Sequence, residues 1–121
     1  MKLVVEALES DSLERTLGTF PSQASSVVAT VEVPRAVARV DDGAATREAT
    51  RAVLGQLGLI DLDRAVRERA ALLEPARLRS LDAVHLASAL ALGDYLEALI
   101  TYDDRLADAA GAVGVTVLSP R

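Results

Sequence analysis

The segment from Arg77 to Leu106, RLRSLDAVHLASALALGDYLEALITYDDRL, constrains the fold more than any other part of the chain. From Leu81 to Leu92 its residues are apolar or small on almost every side of a helix, which is typical of a helix buried in the interior. Asp82 is the one carboxylate in that run, and Ser80 before it is the expected N-cap. The segment therefore predicts an interior helix with an acid in its first turn.

A buried strand is predicted directly after this helix. Gly93 can end the helix in a left-handed conformation, and Ala98 to Tyr102 (ALITY) is an apolar run of strand length. The strand delivers Asp103 and Asp104 at its carboxyl end, the position where open α/β sheets bind ligands. Each of the acids, taken singly, has a structural explanation as a helix cap. Gathered at the rim of one core, carboxylates repel one another unless a cation such as Mg²⁺ joins them.

The rest of the chain predicts further strands and helices in alternation. The other predicted strands are Gln23–Ser26, Leu59–Leu62 and Val115–Leu118, and the other predicted helices are Glu9–Leu17, Val27–Val40 with a kink near Pro34, Ala44–Leu57 and Ala65–Leu73. Asp63 is the expected cap of the last of these, and Ser25 or Ser26 the expected cap of Val27–Val40. This order predicts an α/β fold of three layers, with a mostly parallel central sheet flanked by helices. A length of 121 residues suits one domain spanning residues 1–121.

Composition narrows the classes of function. A net charge of −5 argues against a broad basic face for phosphate backbones, and three aromatic residues are too few for a base-stacking platform. Any RNA contact must then be local or carried by a metal, although arginines such as Arg77 and Arg79 could bind phosphates. The chain lacks cysteine and has no charge-free apolar run of bilayer length, so we expect a cytoplasmic protein without a membrane partner.

The motifs as a set resemble those of a known family. Ser25 and Ser26 are followed by Glu32 and Arg35, later by SLDAVHLASALALG and LITYDDRLADAA, and finally by a short strand. This pattern closely resembles the PIN-domain ribonucleases, in particular the VapC-type toxins of bacterial toxin–antitoxin pairs. The resemblance covers nearly the whole chain, and the spacing of DAVHLASAL and TYDDRL is its most specific part.

The resemblance implies a metal-dependent endoribonuclease. In that family a pocket of acidic residues binds Mg²⁺ or Mn²⁺ and hydrolyses phosphodiester bonds in RNA. By position, Glu32, Asp82 and Asp103 match the catalytic and metal-binding acids, and Asp104 is the alternative to Asp103. His85 lies three residues after Asp82, and we expect it to be a packed residue bonded to a neighbour, not a general base.

The resemblance also implies macromolecular partners. These are an RNA substrate, a second copy of the chain in a homodimer, and a cognate VapB-type antitoxin that contacts the Ala44–Leu57 region. The antitoxin is expected to set basic side chains against the acid pocket.

The start of the chain departs from the family pattern. PIN domains begin with a strand that ends in an Asp, the first metal ligand, whereas Met1 to Ala7 (MKLVVEA) looks like the helix that should follow it. The first strand and one acid are therefore expected to be missing, with Glu6 too far along a helix to replace that acid. A strand takes about five or six residues, so we expect the reading frame to continue upstream by on the order of ten codons.

Two classes of function remain open on the sequence. One is the metal-dependent ribonuclease, and the other is a truncated, catalytically inactive relative that binds an antitoxin or itself. A phosphoacceptor receiver domain would also use acids and Mg²⁺ on a similar sheet, but it needs a lysine after a late strand. Lys2 is the only lysine of the chain, which disfavours that reading.

Overall fold

Strands from residues 2–5 and 22–119 form a five-stranded parallel sheet. The computed structural model describes residues 2–5 and 22–119. The strands, in chain order, are β1 Lys2–Val5, β2 Gln23–Ser26, β3 Gly58–Ile60, β4 Leu96–Ile100 and β5 Val117–Leu118. Their order across the sheet is β3-β2-β1-β4-β5, and every neighbouring pair is parallel. The predicted α/β fold with a parallel central sheet is confirmed.

Helices connect the strands. In the described ranges they are α1 Ala29–Ala38, α2 Ala44–Gly55, α3 Arg64–Leu72, α4 Ser80–Leu90 and α5 Asp104–Ala112, with a 3₁₀ turn at Gly93–Tyr95 between α4 and β4. Helix α1 packs against α2 and α3 against α4, while α4 lies against β2 and β4. Among these described helices none is long and apolar enough to cross a membrane.

Helix α4 is the interior helix that the sequence predicts. The small residues of α4 between Ala83 and Ala89 are buried, and Leu86 is fully buried in one core cluster with Leu99 of β4 and Leu106 of α5. Burying an aliphatic side chain of this size stabilises a fold by about 1.5–3 kcal/mol. The cluster therefore packs α4 against both β4 and α5, the strand and the helix that follow it. This packing fixes the position of the start of α4 relative to the end of β4.

The predicted helix caps are partly right. Asp63 is the N-cap of α3, and its Oδ1 accepts a 2.9 Å hydrogen bond from a backbone N–H of the first turn. Ser80, by contrast, is the first residue of α4 and not its cap; Arg79 occupies the cap position without a side-chain hydrogen bond. Helix α1 likewise starts after Val28 without a side-chain cap, and Ser26 instead accepts a hydrogen bond from the Val28 N–H at 3.3 Å.

Several boundaries differ from the sequence prediction by a few residues. Strand β2 has the predicted bounds, but β4 begins and ends two residues before the predicted strand. Pro34 lies inside α1, which runs through it from Ala29 to Ala38. The predicted helix at residues 9–17 lies outside the described residues.

The structure corrects the prediction for the start of the chain. Lys2–Val5 form strand β1 and not the continuation of a helix, and β1 lies between β2 and β4. The gap expected at the centre of the sheet is therefore filled by this strand. Because buried backbone groups of two flanking strands need partners, an apolar run rich in β-branched valine is favoured in that place over a helix.

Candidate active site

The carboxyl edge of the sheet has a switch point beside β1. The chain leaves the carboxyl end of β2 on one side of β1 to enter α1, and it leaves β4 on the other side to enter α5. Neighbouring strands lie about 4.8 Å apart, so the ends of β2 and β4 are separated by about 10 Å. A crevice between connections that diverge in this way is where open α/β sheets bind ligands.

Asp82 lies in the first turn of α4, half-buried at this edge. Burial raises the pKa of the Asp82 carboxyl above its usual value, and the negative charges of Asp103 and Glu32 raise it further. The positive charge of Arg79 and the ring of His85 act in the opposite direction. The charges of both other acids act on this carboxyl group, so Asp82 lies within electrostatic range of Asp103 and of Glu32.

Asp103 is held by the backbone around it. It is the N-cap of α5, and its Oδ1 accepts hydrogen bonds from the N–H groups of Arg105 at 2.8 Å and Leu106 at 3.1 Å. Its own N–H donates to the hydroxyl of buried Thr101 at 3.1 Å. The capping role that the sequence left open for Asp103 is thus confirmed, and Asp104 is the first residue of the helix.

Glu32 reaches the same edge from α1, where it stands in the first turn. Its Oε1 lies 2.6 Å from Nε2 of His85 on α4. The side chain of His85 is 2% exposed and that of Glu32 is 35% exposed, so the contact joins a buried ring to an acid at the surface. The prediction that His85 is packed and bonded to a neighbour is confirmed.

The three acids do not form a closed cage. Within residues 2–5 and 22–119, no three His, Cys, Asp or Glu side chains are close enough together to hold a metal ion between them. In this arrangement Glu32 is bonded to His85, and Asp103 caps α5.

The donor chemistry nevertheless suits a hard cation. Mg²⁺ keeps several of its waters and is usually held by one or two protein carboxylates plus substrate phosphate oxygens. Among the charged groups near Asp82, Asp103 has the largest effect on its pKa. Asp82 and Asp103 therefore offer carboxylate oxygens of the kind that such an ion binds.

Comparison with known proteins decides the family. The model of the PIN domain family matches residues 5–112. The chain belongs to the PIN domain family. The VapC-type PIN domain identified from the sequence motifs is supported by two relatives from Mycobacterium tuberculosis, both of which carry ribonuclease names.

Ribonuclease VapC46 of strain ATCC 25618 / H37Rv is 45% identical over 99% of this chain and 91% of its own length. Ribonuclease VapC35 of strain CDC 1551 / Oshkosh is 37% identical over 99% of this chain and 90% of its own length.

A solved structure agrees with the fold. A toxin–antitoxin complex from Klebsiella pneumoniae superposes with a TM-score of 0.70 at 26% identity, over 93% of this chain and 87% of the matched chain. The part of the chain that the PIN domain family model matches, residues 5–112, includes Glu32, Asp82 and Asp103.

Two features of this PIN domain escaped the sequence analysis. The first is the contact between Glu32 and His85, which are 53 positions apart; the three-residue spacing from Asp82 placed His85 on the right face of α4 but could not name its partner. The second is an apolar groove of about 570 Å³ between α1 and α2, lined among others by Pro34 and Leu54. The valine and leucine positions of both helices were the available signal for it.

Proposed function

We propose that this PIN domain is a metal-dependent endoribonuclease of the VapC type that hydrolyses phosphodiester bonds of RNA. The observation that carries the proposal is that the charges of both Asp103 and Glu32 raise the pKa of Asp82. The names of the two mycobacterial relatives, both ribonucleases, support the choice of RNA as substrate.

Each residue has a distinct task in this proposal. Asp82 and Asp103 hold a divalent cation, Mg²⁺ or Mn²⁺, and Glu32 is the third acid of the site. The cation supplies Lewis-acid chemistry for attack on a phosphodiester. Burial of Asp82 and the capping bonds of Asp103 hold both carboxylates in place before substrate arrives. The positive charge of Arg79 lies near Asp82 and favours the approach of a phosphate.

The test of this activity uses the chain with a mixed-sequence RNA. We expect cleavage that stops with EDTA, returns with Mg²⁺ or Mn²⁺, and is lost in Asp82→Asn, which keeps the shape of the side chain and removes its charge. Asp94→Asn is the matched control, because Asp94 is an exposed acid beyond the opposite end of α4. Cleavage that resists EDTA, or that survives Asp82→Asn, would rule the proposal out.

The groove between α1 and α2 supports the proposal that a protein partner binds there. Its lining is mostly apolar, with Pro34, Val37 and Leu54 among the residues that form it, and Arg35 and Asp41 at the same surface. Val37 also faces a second, smaller groove of about 350 Å³ along α2. We propose that a cognate VapB-type antitoxin lays an apolar segment here, in the Ala44–Leu57 region. The toxin–antitoxin complex with a similar fold is consistent with such a partner.

The partner is tested by co-expression with the product of the neighbouring gene. Val37→Asp places a charge in the groove, and we expect it to weaken co-purification while RNA cleavage by the free chain is unchanged. Leu72→Asp is the control, since Leu72 is 81% exposed on α3 and outside both grooves. Equal co-purification of both variants with the wild type would place the antitoxin elsewhere.

A second candidate function is an inactive PIN domain that only binds its partner. The open arrangement of the described acids, without a three-ligand group, is the observation that favours it. The EDTA experiment separates the two candidates. A homodimer and a cytoplasmic location also remain proposals, and the dimer rests on the family resemblance now that β1 occupies the centre of the sheet. Sedimentation at micromolar concentration tests it, and a stable monomer would count against it.

A further inference from the structure

His85, the single histidine of the chain, occupies an unusual place for a polar ring. It is buried on α4, next in sequence to the core residue Leu86, and its Nε2 lies 2.6 Å from Oε1 of Glu32. Burying a polar group costs free energy unless it is hydrogen-bonded. The contact with Glu32 therefore accounts for one of the two ring nitrogens, and it links the core to the candidate site.

The geometry identifies which nitrogen carries the proton. A carboxylate oxygen only accepts hydrogen bonds, so Nε2 is the donor in this contact. Nδ1 is buried and has no hydrogen-bond partner in the part of the chain that the structure describes. A proton on Nδ1 would leave a buried N–H donor without a partner. Burying a nitrogen lone pair without a partner costs less free energy. The contact with Glu32 therefore assigns to Nε2 the proton that is donated to the carboxylate.

We propose that His85 is a positioning residue that orients the carboxylate of Glu32 at the sheet edge that carries Asp82 and Asp103, and that it thereby sets the affinity of the site for its divalent cation. The inference rests on the proposed function, since it assumes that the site binds a cation. Glu32 has a long side chain that is 35% exposed, so without a donor it would sample several rotamers. Loss of a partner that orients a metal-site residue typically costs about 10- to 100-fold in metal affinity or activity.

A purely structural role for His85 makes the opposite prediction. If the ring only filled space, His85→Leu would leave cation binding unchanged. His85→Leu also removes the unpaired Nδ1 from the core, while the partly exposed Glu32 can turn to water. We therefore expect this variant to unfold at the same temperature as the wild type or at a higher one. His85→Gln retains an N–H donor at a similar reach and should restore the contact with Glu32.

The test measures Mn²⁺ binding to the metal-free chain by electron paramagnetic resonance, together with thermal unfolding. We expect His85→Leu to weaken binding by about tenfold or more without a lower melting temperature, and His85→Gln to stay within about threefold of the wild type. Leu86→Val is the control, because it trims the neighbouring core residue and should lower the melting temperature while Mn²⁺ binding is unchanged. Wild-type affinity in His85→Leu, or an equal loss in both His85 variants, would overturn the inference.

A second readout does not depend on the cation. One histidine produces one set of ring ¹⁵N signals, and we expect long-range ¹H–¹⁵N spectra of the metal-free chain to show a protonated Nε2 that shifts in Glu32→Gln. A protonated Nδ1 with a bare Nε2 would refute the contact and the inference while leaving the nuclease proposal intact. A wild-type chain that binds no Mn²⁺ would overturn the proposed function and, with it, this inference.

Discussion

Asp103 has two roles that substitutions can separate, one as a helix cap and one as a site acid. Its Oδ1 accepts hydrogen bonds from two backbone N–H groups of α5, at 2.8 and 3.1 Å. Asp103→Ala removes both bonds, and loss of such a cap costs about 1 kcal/mol. With an unfolding entropy of about 2.1 cal/mol/K per residue over 121 residues, this corresponds to a fall in melting temperature of about 4 °C.

Asp103→Asn has a different effect because asparagine caps helices about as well as aspartate. We expect its melting temperature to stay within about 1 °C of the wild type, since the amide oxygen can accept the same two bonds. The negative charge is lost, however, and with it one of the two carboxylates proposed to hold the cation. Loss of a residue that only orients a metal ligand costs about 10- to 100-fold in activity. Because Asp103 is proposed to bind the cation directly, we expect RNA cleavage to fall by about 100-fold or more.

The assay pairs thermal unfolding with metal-dependent RNA cleavage, and Asp63 provides the matched control. Asp63 caps α3 through the same kind of bond, but its charge is not among those that shift the pKa of Asp82. Asp63→Ala should therefore lower the melting temperature by a similar amount and leave RNA cleavage unchanged. Asp63→Asn should change neither the melting temperature nor RNA cleavage. Asp104→Asn tests the alternative acid. Full cleavage by Asp103→Asn together with its loss in Asp104→Asn would refute the assignment of Asp103.

Three further predictions concern stability. Hydrogen bonds from the Thr46 hydroxyl and, to a smaller extent, from the Gly43 N–H lower the pKa of Asp41 from 3.8, so the ionised Asp41 carboxylate stabilises the fold above that pH. Thr46→Val should therefore be less stable than the wild type at neutral pH. Thermal melting at a series of pH values should show this difference disappearing as the pH falls through the folded-state pKa of Asp41. Leu86→Ala empties a fully buried position and should lower the free energy of unfolding by about 2–5 kcal/mol in urea titrations. Gly114 has a φ of +83°, so Gly114→Ala should lower the free energy of unfolding by about 1–2 kcal/mol. Gly111 lies in α5, where an added Cβ meets nothing within 4 Å, so Gly111→Ala should raise the free energy of unfolding by up to about 1 kcal/mol. The same urea titrations check both variants.

The sequence by itself determined the features that depend on neighbours along the chain. The interior character of α4 follows from a run with almost no polar face, and the capping by Asp63 and Asp103 follows from acids placed directly before helical segments. The alternation of strands and helices predicted a parallel sheet, which in turn placed the acids that follow strands at one edge. These inferences succeed because residue periodicity and local hydrogen bonding act within a few positions.

The tertiary structure decided what depends on distant parts of the chain. Lys2–Val5 read locally as the continuation of a helix, yet they pair with both β2 and β4, because the sheet needs a partner for the backbone groups on each side. The contact between Glu32 and His85 joins residues 53 positions apart, and no local pattern encodes which acid a buried ring will meet. The groove between α1 and α2 likewise exists only once the two helices pack against each other.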